Sequence, residues 1–403
     1  MPRWSVLLFI AVFVALALLV AENRRDERAP AREPSTAAPQ GLETHLRALQ
    51  RIADANDGTR AAGSPGDEAT ADYIEERLRA AGYRVTRERF RVPFFRETAP
   101  PRLVTGGRRV AAIRTLQFSG AGTAAGRVRG VGRGCTPDAF AALREGEIAL
   151  AQRGTCFFRV KALNAQRAGA AALLVADDEP VAGSLQRPVA LPAVAVRTGD
   201  VPPGRRVRVT VRAESETRET ANVIGEIGPA GDVAMAGAHL DSVPAGPGLN
   251  DNGSGIAALL HIAERVADRG RPLRFGFWGA EEIGLVGSRR YVDGLSAAGR
   301  QAITAYLNLD MVGSPDATPE VYDGAPRIEA ALRRHLPRGT DDIDLGAQSD
   351  HAAFEAAGIP IGGIFTGIDD CYHEACDTLR NVDLDVLASS ASAAEGALLD
   401  LSP

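Results

Sequence analysis

Short apolar runs that alternate with a helical pattern set the expected architecture of the second half of the chain. Four runs, each ending in a polar or glycine-rich turn, predict buried strands at residues 233–238, 273–279, 303–309 and 360–366. An apolar helical period over residues 256–266 follows the first run. The pattern predicts an α/β domain in which helices flank a sheet.

The first half of the chain begins with the same alternation of helices and strands, and the pattern then changes. Two helices are predicted at residues 42–56 and 68–81, followed by an alternating strand at 83–92. From about residue 100, short β-like pieces are separated by glycine and proline, with one helix at 159–168. These observations predict a mostly β domain, residues 100–219, inserted into an α/β domain made of residues 41–99 and 220–403.

The chain begins with an apolar segment that indicates export. Residues 4–21 are apolar except for Ser5, and arginines stand before and after them. Eighteen residues suit either a signal peptide, residues 1–21, or a retained N-terminal membrane anchor. Residues 22–40 are charged and rich in proline and alanine, which predicts a disordered tether. The protein is therefore expected to be secreted or held at the outer face of the cell membrane.

Composition and cysteine content agree with an exported globular protein. The 403 residues are 45% hydrophobic and carry a net charge of −5, which gives no reason to expect a nucleic-acid partner. An even number of cysteines in an exported chain favours disulfides. We expect pairing within each domain, Cys135 with Cys156 and Cys371 with Cys376.

Candidate metal ligands follow the ends of the predicted strands. His239 ends the first, the Glu281–Glu282 pair follows the second, and Asp310 follows the third. His373 lies in the loop after the fourth, and Asp251 precedes the helix. Because open α/β sheets bind ligands beyond the carboxyl ends of their strands, these side chains are expected to converge.

The predicted cluster suits two metal ions. Two imidazoles and three carboxylates are ligands that zinc accepts, and one bridging carboxylate would leave open positions for water. Two adjacent glutamates on extended backbone cannot point the same way. One of Glu281 and Glu282 can therefore bind metal while the other acts as a proton acceptor.

In five sequence motifs the chain resembles the M28 group of co-catalytic zinc aminopeptidases. The motifs, in the family's order, are Ala238-His-Leu-Asp-Ser, Leu249-Asn-Asp-Asn-Gly-Ser-Gly, Gly279-Ala-Glu-Glu-Ile-Gly-Leu, Leu307-Asn-Leu-Asp-Met-Val-Gly and Ser349-Asp-His. The resemblance covers residues 41–99 and 220–400. It implies a zinc exopeptidase fold with a mixed, mostly parallel central sheet. The segment 371–376, with cysteines around the last histidine, is similar to bacterial secreted aminopeptidases.

The resemblance also implies a role for each site residue. One zinc ion would be held by His239 and Asp310, the other by Glu282 and His373, with Asp251 bridging them.

Three further residues receive roles outside the ligand set. Glu281 would be the general base, Asp241 would orient His239, and Tyr372 would donate to the oxyanion. Two residues, Glu281 and Asp310, are candidates for anchoring the free amine of the substrate.

The inserted segment has a resemblance of its own. Arg153-Gly-Thr-Cys-Phe-Phe-Arg-Val-Lys, followed by Asn164-Ala-Gln-Arg-Ala-Gly-Ala-Ala-Ala-Leu-Leu, is similar to the protease-associated (PA) domain. That domain implies a lid or a substrate-selecting role and no catalysis.

The expected function is hydrolysis of N-terminal peptide bonds by water held between two zinc ions, with peptide or protein N-termini as substrates. Alternatives on the same scaffold are a carboxypeptidase, a glutaminyl cyclase and a non-catalytic receptor-like relative. A carboxypeptidase needs a basic pocket, and a cyclase usually has a one-zinc site. The full ligand set together with Glu281 favours hydrolysis.

Overall fold

The structure is a computed structural model that describes residues 40–403. The predicted signal peptide or anchor, and the predicted tether apart from Gln40, lie outside the described residues. Within the described range no helix combines the length and apolarity needed to cross a bilayer.

Fourteen strands and nine α-helices make up the described chain. The strands are β1 (Arg84–Thr105), β2 (Arg108–Arg109), β3 (Ile113–Thr115), β4 (Gly122–Gly130), β5 (Ile148–Gln152), β6 (Ala172–Asp177), β7 (Ala193–Arg197), β8 (Arg206–Ile227), β9 (Val233–His239), β10 (Leu273–Trp278), β11 (Ile303–Leu309), β12 (Glu320–Tyr322), β13 (Asp342–Ile343) and β14 (Ile361–Phe365). The helices are α1 (Gln40–Ala55), α2 (Pro65–Ala80), α3 (Phe158–Arg167), α4 (Gly253–Val266), α5 (Val286–Gly294), α6 (Ala297–Ala302), α7 (Pro326–His335), α8 (His351–Ala356) and α9 (Leu384–Leu401).

The centre of the sheet confirms the predicted mixed, mostly parallel α/β fold. Its strand order is β13-β12-β14-β11-β9-β10-β8, and the pairs β14/β11, β11/β9 and β9/β10 are parallel. Helices α1, α4 and α9 contribute their apolar faces to one large core against this sheet. Helix α4 is almost entirely buried, which explains why its sequence is apolar nearly all round.

Strand β8 joins the two parts of the chain. One of its edges pairs with β1 along nearly its whole length. Its other edge pairs with β10 at residues 223–227 and with β4 at residues 206–211. The ladder then continues through β5, β6, β7 and β3 of the inserted segment. Strands β1 and β8 therefore run unbroken through the positions 99 and 219 at which the insert was predicted to begin and end.

Both predicted disulfides are present. Cys135 bonds to Cys156, and Cys371 bonds to Cys376. Lys161, the single lysine of the 403-residue chain, is buried beside the first of them. Its ammonium donates to the carbonyl of Gly154 at 2.9 Å and lies 3.5 Å from the sulfur of Cys156. These contacts satisfy the buried charge, which would otherwise be costly.

Candidate metal centre

The sheet brings the predicted ligands together because four neighbouring strands end at the same edge. Strands β14, β11, β9 and β10 are adjacent in that order. His239 is the last residue of β9, and Asp310 comes directly after β11. The Glu281–Glu282 pair follows β10 within four residues, and the loop after β14 brings in His373.

Asp251 lies at the centre of the cluster. Its Oδ1 is 3.1 Å from Nε2 of His239, and its Oδ2 is 3.2 Å from Nε2 of His373. The two oxygens of one carboxylate therefore face two different imidazoles. Each imidazole has a second carboxylate beside it, Asp310 at 3.3 Å from His239 and Glu282 at 3.1 Å from His373.

Asp241 connects the His239 strand to the glutamate pair. Its Oδ1 accepts a hydrogen bond from the amide of Glu281 at 3.0 Å, and its Oδ2 accepts one from the amide of Glu282 at 3.4 Å. The Nδ1 atom of His239 lies 3.1 Å from the backbone oxygen of Asp241 and 3.8 Å from its carboxylate. Asp241 therefore fixes the backbone of both glutamates as well as the imidazole ring.

The backbone at the cluster adopts unusual conformations. Ala280, directly before Glu281, has φ +60°, and Met311, directly after Asp310, has φ +51°. His373 itself has φ +60°. A non-glycine residue in this region costs about 1–3 kcal/mol, and such residues concentrate at functional sites. The surrounding packing thus holds three ligand-bearing turns in conformations that an isolated chain avoids.

The electrostatics show how crowded the carboxylates are. Burial, with repulsion from Asp251, raises the pKa of Glu282 to about 7. Burial also raises the pKa of Glu281 well above its ordinary value, and the nearby carboxylates of Asp350 and Asp310 raise it further. Burial opposes ionisation of Asp251 too, but its hydrogen bonds to His239 and His373 outweigh that effect and lower its pKa.

These residues fit a bound divalent cation. Ligand atoms of His239, Asp251 and Glu282 all lie within 4.8 Å of one another. Oε1 of Glu282 is buried and has no hydrogen-bond partner among the described residues. Burying such an unpaired oxygen costs free energy unless the oxygen binds a cation. Imidazole and carboxylate are ligands that zinc binds.

The loop that carries His373 is closed by a disulfide. Cys371 and Cys376 flank it at a sequence separation of 5. The ring of Tyr372 stacks on the His373 imidazole with centroids 3.8 Å apart. Burial of the Tyr372 phenol and the surrounding carboxylates raise its pKa, so it stays a proton donor. Tyr372 is 37% exposed and the His373 side chain 40% exposed, so this side of the cluster reaches solvent.

Two buried residues that orient ligands were not predicted. Ser349 donates to Oδ2 of Asp310 at 2.5 Å, and Asp377 accepts the amide of Asp251 at 3.0 Å. The Ser349-Asp-His motif pointed to this region without assigning Ser349 a contact. His351 of that motif contacts the backbone oxygen of Gly346 at 2.7 Å.

Comparison with known families agrees with this geometry. The model of peptidase family M28 matches residues 222–397, and the PA domain model matches residues 124–202. Together with the relatives described next, the M28 match shows that the chain belongs to peptidase family M28 and is a zinc metallopeptidase.

Named relatives cover most of the chain. It is 35% identical to the probable lipoprotein aminopeptidase LpqL of Mycobacterium tuberculosis, over 85% of this chain and 81% of that protein. It is 34% identical to an aminopeptidase of Pseudomonas aeruginosa, over 85% of this chain and 77% of that protein.

Solved structures show the same fold. The aminopeptidase from Aneurinibacillus sp. strain AM-1 matches with a TM-score of 0.70 and 28% identity, over 91% of this chain and 94% of that one. BSAP, a zinc aminopeptidase from Bacillus subtilis, matches with a TM-score of 0.67 and 25% identity, over 92% and 96%.

Proposed function

We propose that the protein is an aminopeptidase that removes N-terminal residues from peptides by means of two zinc ions. The observation that supports this most directly is the Asp251 carboxylate, whose two oxygens face two different imidazoles. Each imidazole is accompanied by a further carboxylate, which gives two equivalent half-sites. His239 and Asp310 would hold one ion, Glu282 and His373 the other, and Asp251 would bridge them.

Zinc, when bound, supplies Lewis acidity, which polarises the scissile carbonyl and lowers the pKa of the attacking water. The residues of the chain supply the proton transfers and the positioning. Glu281 is not needed as a ligand in this scheme, and a carboxylate beside the metal ligands suits a general base. It takes a proton from the attacking water and gives it to the nitrogen of the departing amine.

Two further roles complete the proposal. The hydroxyl of Tyr372, on the open side of the cluster, would donate a hydrogen bond to the oxygen of the tetrahedral intermediate. The excess of carboxylates over imidazoles favours a substrate with a positive amino terminus, and Glu281 and Asp310 are the candidates to hold it. The PA-like insert would act as a lid or select substrates.

Export is also part of the proposal. The relative LpqL is named a probable lipoprotein, and the first residues of this chain form an apolar segment. The two disulfides agree with an oxidising compartment.

A panel of matched peptides with free, acetylated and amidated ends tests the reaction. We expect cleavage of leucyl-p-nitroanilide and of peptides with a free amino end, and none when that end is acetylated. Preference for a free carboxyl end would instead indicate a carboxypeptidase, and loss of ammonia from N-terminal glutamine a cyclase.

Substitution of the base tests the mechanism. Glu281→Gln should lower kcat about a thousandfold, while elemental analysis still finds two zinc ions per chain. The control is Glu355→Gln, an exposed glutamate on α8, which should keep the parental rate. A Glu281→Gln enzyme with the parental rate contradicts the proposed base, and a parent with one zinc ion contradicts the two-ion site.

A further inference from the structure

A fully buried arginine lies beside the loop that joins two of the proposed ligands. Arg60, between α1 and α2, has no solvent exposure. Its guanidinium donates three hydrogen bonds, all to backbone oxygens of that loop: to Leu240 at 2.5 Å, Pro247 at 2.9 Å and Gly248 at 2.7 Å. The guanidinium of arginine holds its donors in a fixed planar fork, whereas the ammonium of a lysine is a point charge with rotatable donors.

The loop depends on such partners because it has little regular structure. Residues 240–252 leave β9 and reach α4 without forming a strand or a helix. Buried carbonyls in such a segment need hydrogen-bond donors from side chains, turns or neighbouring elements. Arg60 supplies them at both ends, one residue after His239 and three residues before Asp251. Its own amide also donates to the hydroxyl of Ser242 at 3.0 Å.

The opposite side of the loop is held by Asp377. Its carboxylate accepts the amides of Asn250 at 2.8 Å and Asp251 at 3.0 Å. The loop thus lies between a buried cation that binds its carbonyls and a buried carboxylate that binds its amides. Both are almost fully excluded from solvent, so neither group can be replaced by water without rearrangement.

The charge of Arg60 also belongs to the electrostatics of the site. Within residues 40–403 no carboxylate lies close enough to form an ion pair with it. The carboxyl groups that act on it at longer range are those of Asp241, Asp377, Asp251 and Asp67. A cation held at this position offsets part of the repulsion among these carboxylates.

We propose that Arg60 is a positioning residue that sets the spacing between His239 and Asp251, and thereby the zinc affinity of the site. The inference rests on the proposed two-zinc function. It assigns a part of the site to a segment outside residues 222–397, the range matched by the M28 model. Residues that orient metal ligands typically change metal affinity about 10- to 100-fold when they are lost.

The test measures zinc affinity directly, by competition with a chelating dye, on Arg60→Met and on the parent. Methionine matches the aliphatic part of the arginine side chain but has no charge and no donor. We expect zinc binding to weaken at least tenfold and kcat for leucyl-p-nitroanilide to fall more than KM changes. Arg60→Lys should recover part of both losses because its ammonium keeps some of the hydrogen bonds to the loop carbonyls.

The matched control is Arg274→Met. Arg274 is also largely buried, and it bonds Glu226 and Tyr291, but it stands at the far end of β10 from the cluster. Its loss should reduce stability and leave zinc affinity unchanged. Parental zinc affinity in Arg60→Met, or an equal loss in Arg274→Met, overturns the inference.

Two other outcomes can be distinguished from a failure of the Arg60 inference. A parent chain that binds no zinc contradicts the proposed function itself. If Arg60→Met does not fold, the same dye competition is made on Arg60→Lys, which keeps the positive charge but loses part of the hydrogen bonding to the loop. Parental zinc affinity in that variant then overturns the inference.

Discussion

At the scale of single residues, protons and zinc compete for the same imidazoles. Burial disfavours the charged form of His373, but its contacts with Asp251 and Glu282 outweigh burial and raise its pKa to about 10. For His239 too, burial is outweighed, by Asp310, Glu281 and Asp251, and its pKa rises well above the ordinary value. At pH 7 both imidazoles of the metal-free protein therefore carry protons, whereas zinc binds only the neutral ring.

It follows that zinc binding at pH 7 should release protons and that the apparent affinity should strengthen as the pH rises towards 10. Titration calorimetry in two buffers with different ionisation enthalpies measures the release. The His373→Ala variant is the control and should release fewer protons. A binding enthalpy that is the same in both buffers would contradict this prediction.

Protonation of His45, which lies outside the metal site, should make the stability of the protein depend on pH. It is buried on α1, where its Nδ1 lies 2.7 Å from the hydroxyl of Tyr73. Burial lowers its pKa to about 4, even though Glu264 lies nearby. The unfolded chain takes up a proton near pH 6.5 but the folded chain only near pH 4. Stability should therefore fall as the pH drops between these values, by about 3 kcal/mol at the acid end.

Urea unfolding at pH 7 and at pH 4.5 measures this loss. His45→Gln should reduce the difference between the two pH values. His335→Gln, at a more exposed position, serves as the control and should retain it. An unchanged difference in His45→Gln would show that other groups cause the acid sensitivity.

Sequence reasoning located the cluster because its ligands follow apolar strands, and strand ends meet at one edge of a parallel sheet. It could not find Arg60, Ser349 or Asp377, because each acts through a hydrogen bond to a residue distant in the chain. For Asp241 the resemblance to the M28 peptidases implied a contact with His239. The bonds from its carboxylate to the Glu281 and Glu282 amides depend on the path of the loop after β10, which no local pattern specifies.

At the scale of elements, the two disulfides should differ in what they contribute: the 371–376 bridge mainly to activity and the 135–156 bridge mainly to stability. The 371–376 bridge closes a loop with a sequence separation of 5, and the 135–156 bridge one of 21. On chain-entropy grounds the first is worth about 2 kcal/mol and the second about 3 kcal/mol. Only the first holds His373, whose backbone is in the left-handed region.

Replacing Cys371 and Cys376 together by serine should therefore weaken zinc binding and lower kcat, at a modest cost in stability. Replacing Cys135 and Cys156 should cost more stability and leave kcat unchanged. Denaturant unfolding and zinc titration of both double variants test this, each serving as the control for the other. Equal zinc affinities would contradict the role given to the short loop.

Among the helices and strands, the main difference from the predicted pattern is the length of β1. Alternation indicated a strand over residues 83–92, but β1 continues to Thr105 through Pro93, Pro100 and Pro101. Prolines usually argue against a strand. Here β1 lies at an edge beside β8, with the short β2 on its other side only near residues 104–105, so a missing amide breaks little of the ladder. Register shifts between residues 97 and 102 accommodate the paired prolines.

At the scale of the whole molecule, the continuous strands predict that the insert and the catalytic part unfold together. Strand β8 contributes to the ladders of both. A cavity created in the core of the insert should therefore destabilise the metal site as well. Leu174→Ala, at a fully buried position on β6, should cost about 2–5 kcal/mol. It should lower the midpoints of calorimetric unfolding and of activity loss by the same amount.

Val104→Ala, at a partly exposed position on β1, is the control and should change both midpoints little. Two separate calorimetric transitions in the parent, with activity following only the upper one, would show that the insert and the catalytic part unfold independently.

The burial of Lys161 has a practical consequence for chemical labelling. Every other cationic side chain of the sequence, apart from its six histidines, is an arginine. A succinimidyl ester therefore meets no lysine amine on the surface of residues 40–403 while they are folded. Acylation of Lys161, read by mass spectrometry, would report how often the insert opens around its disulfide, with no engineered probe.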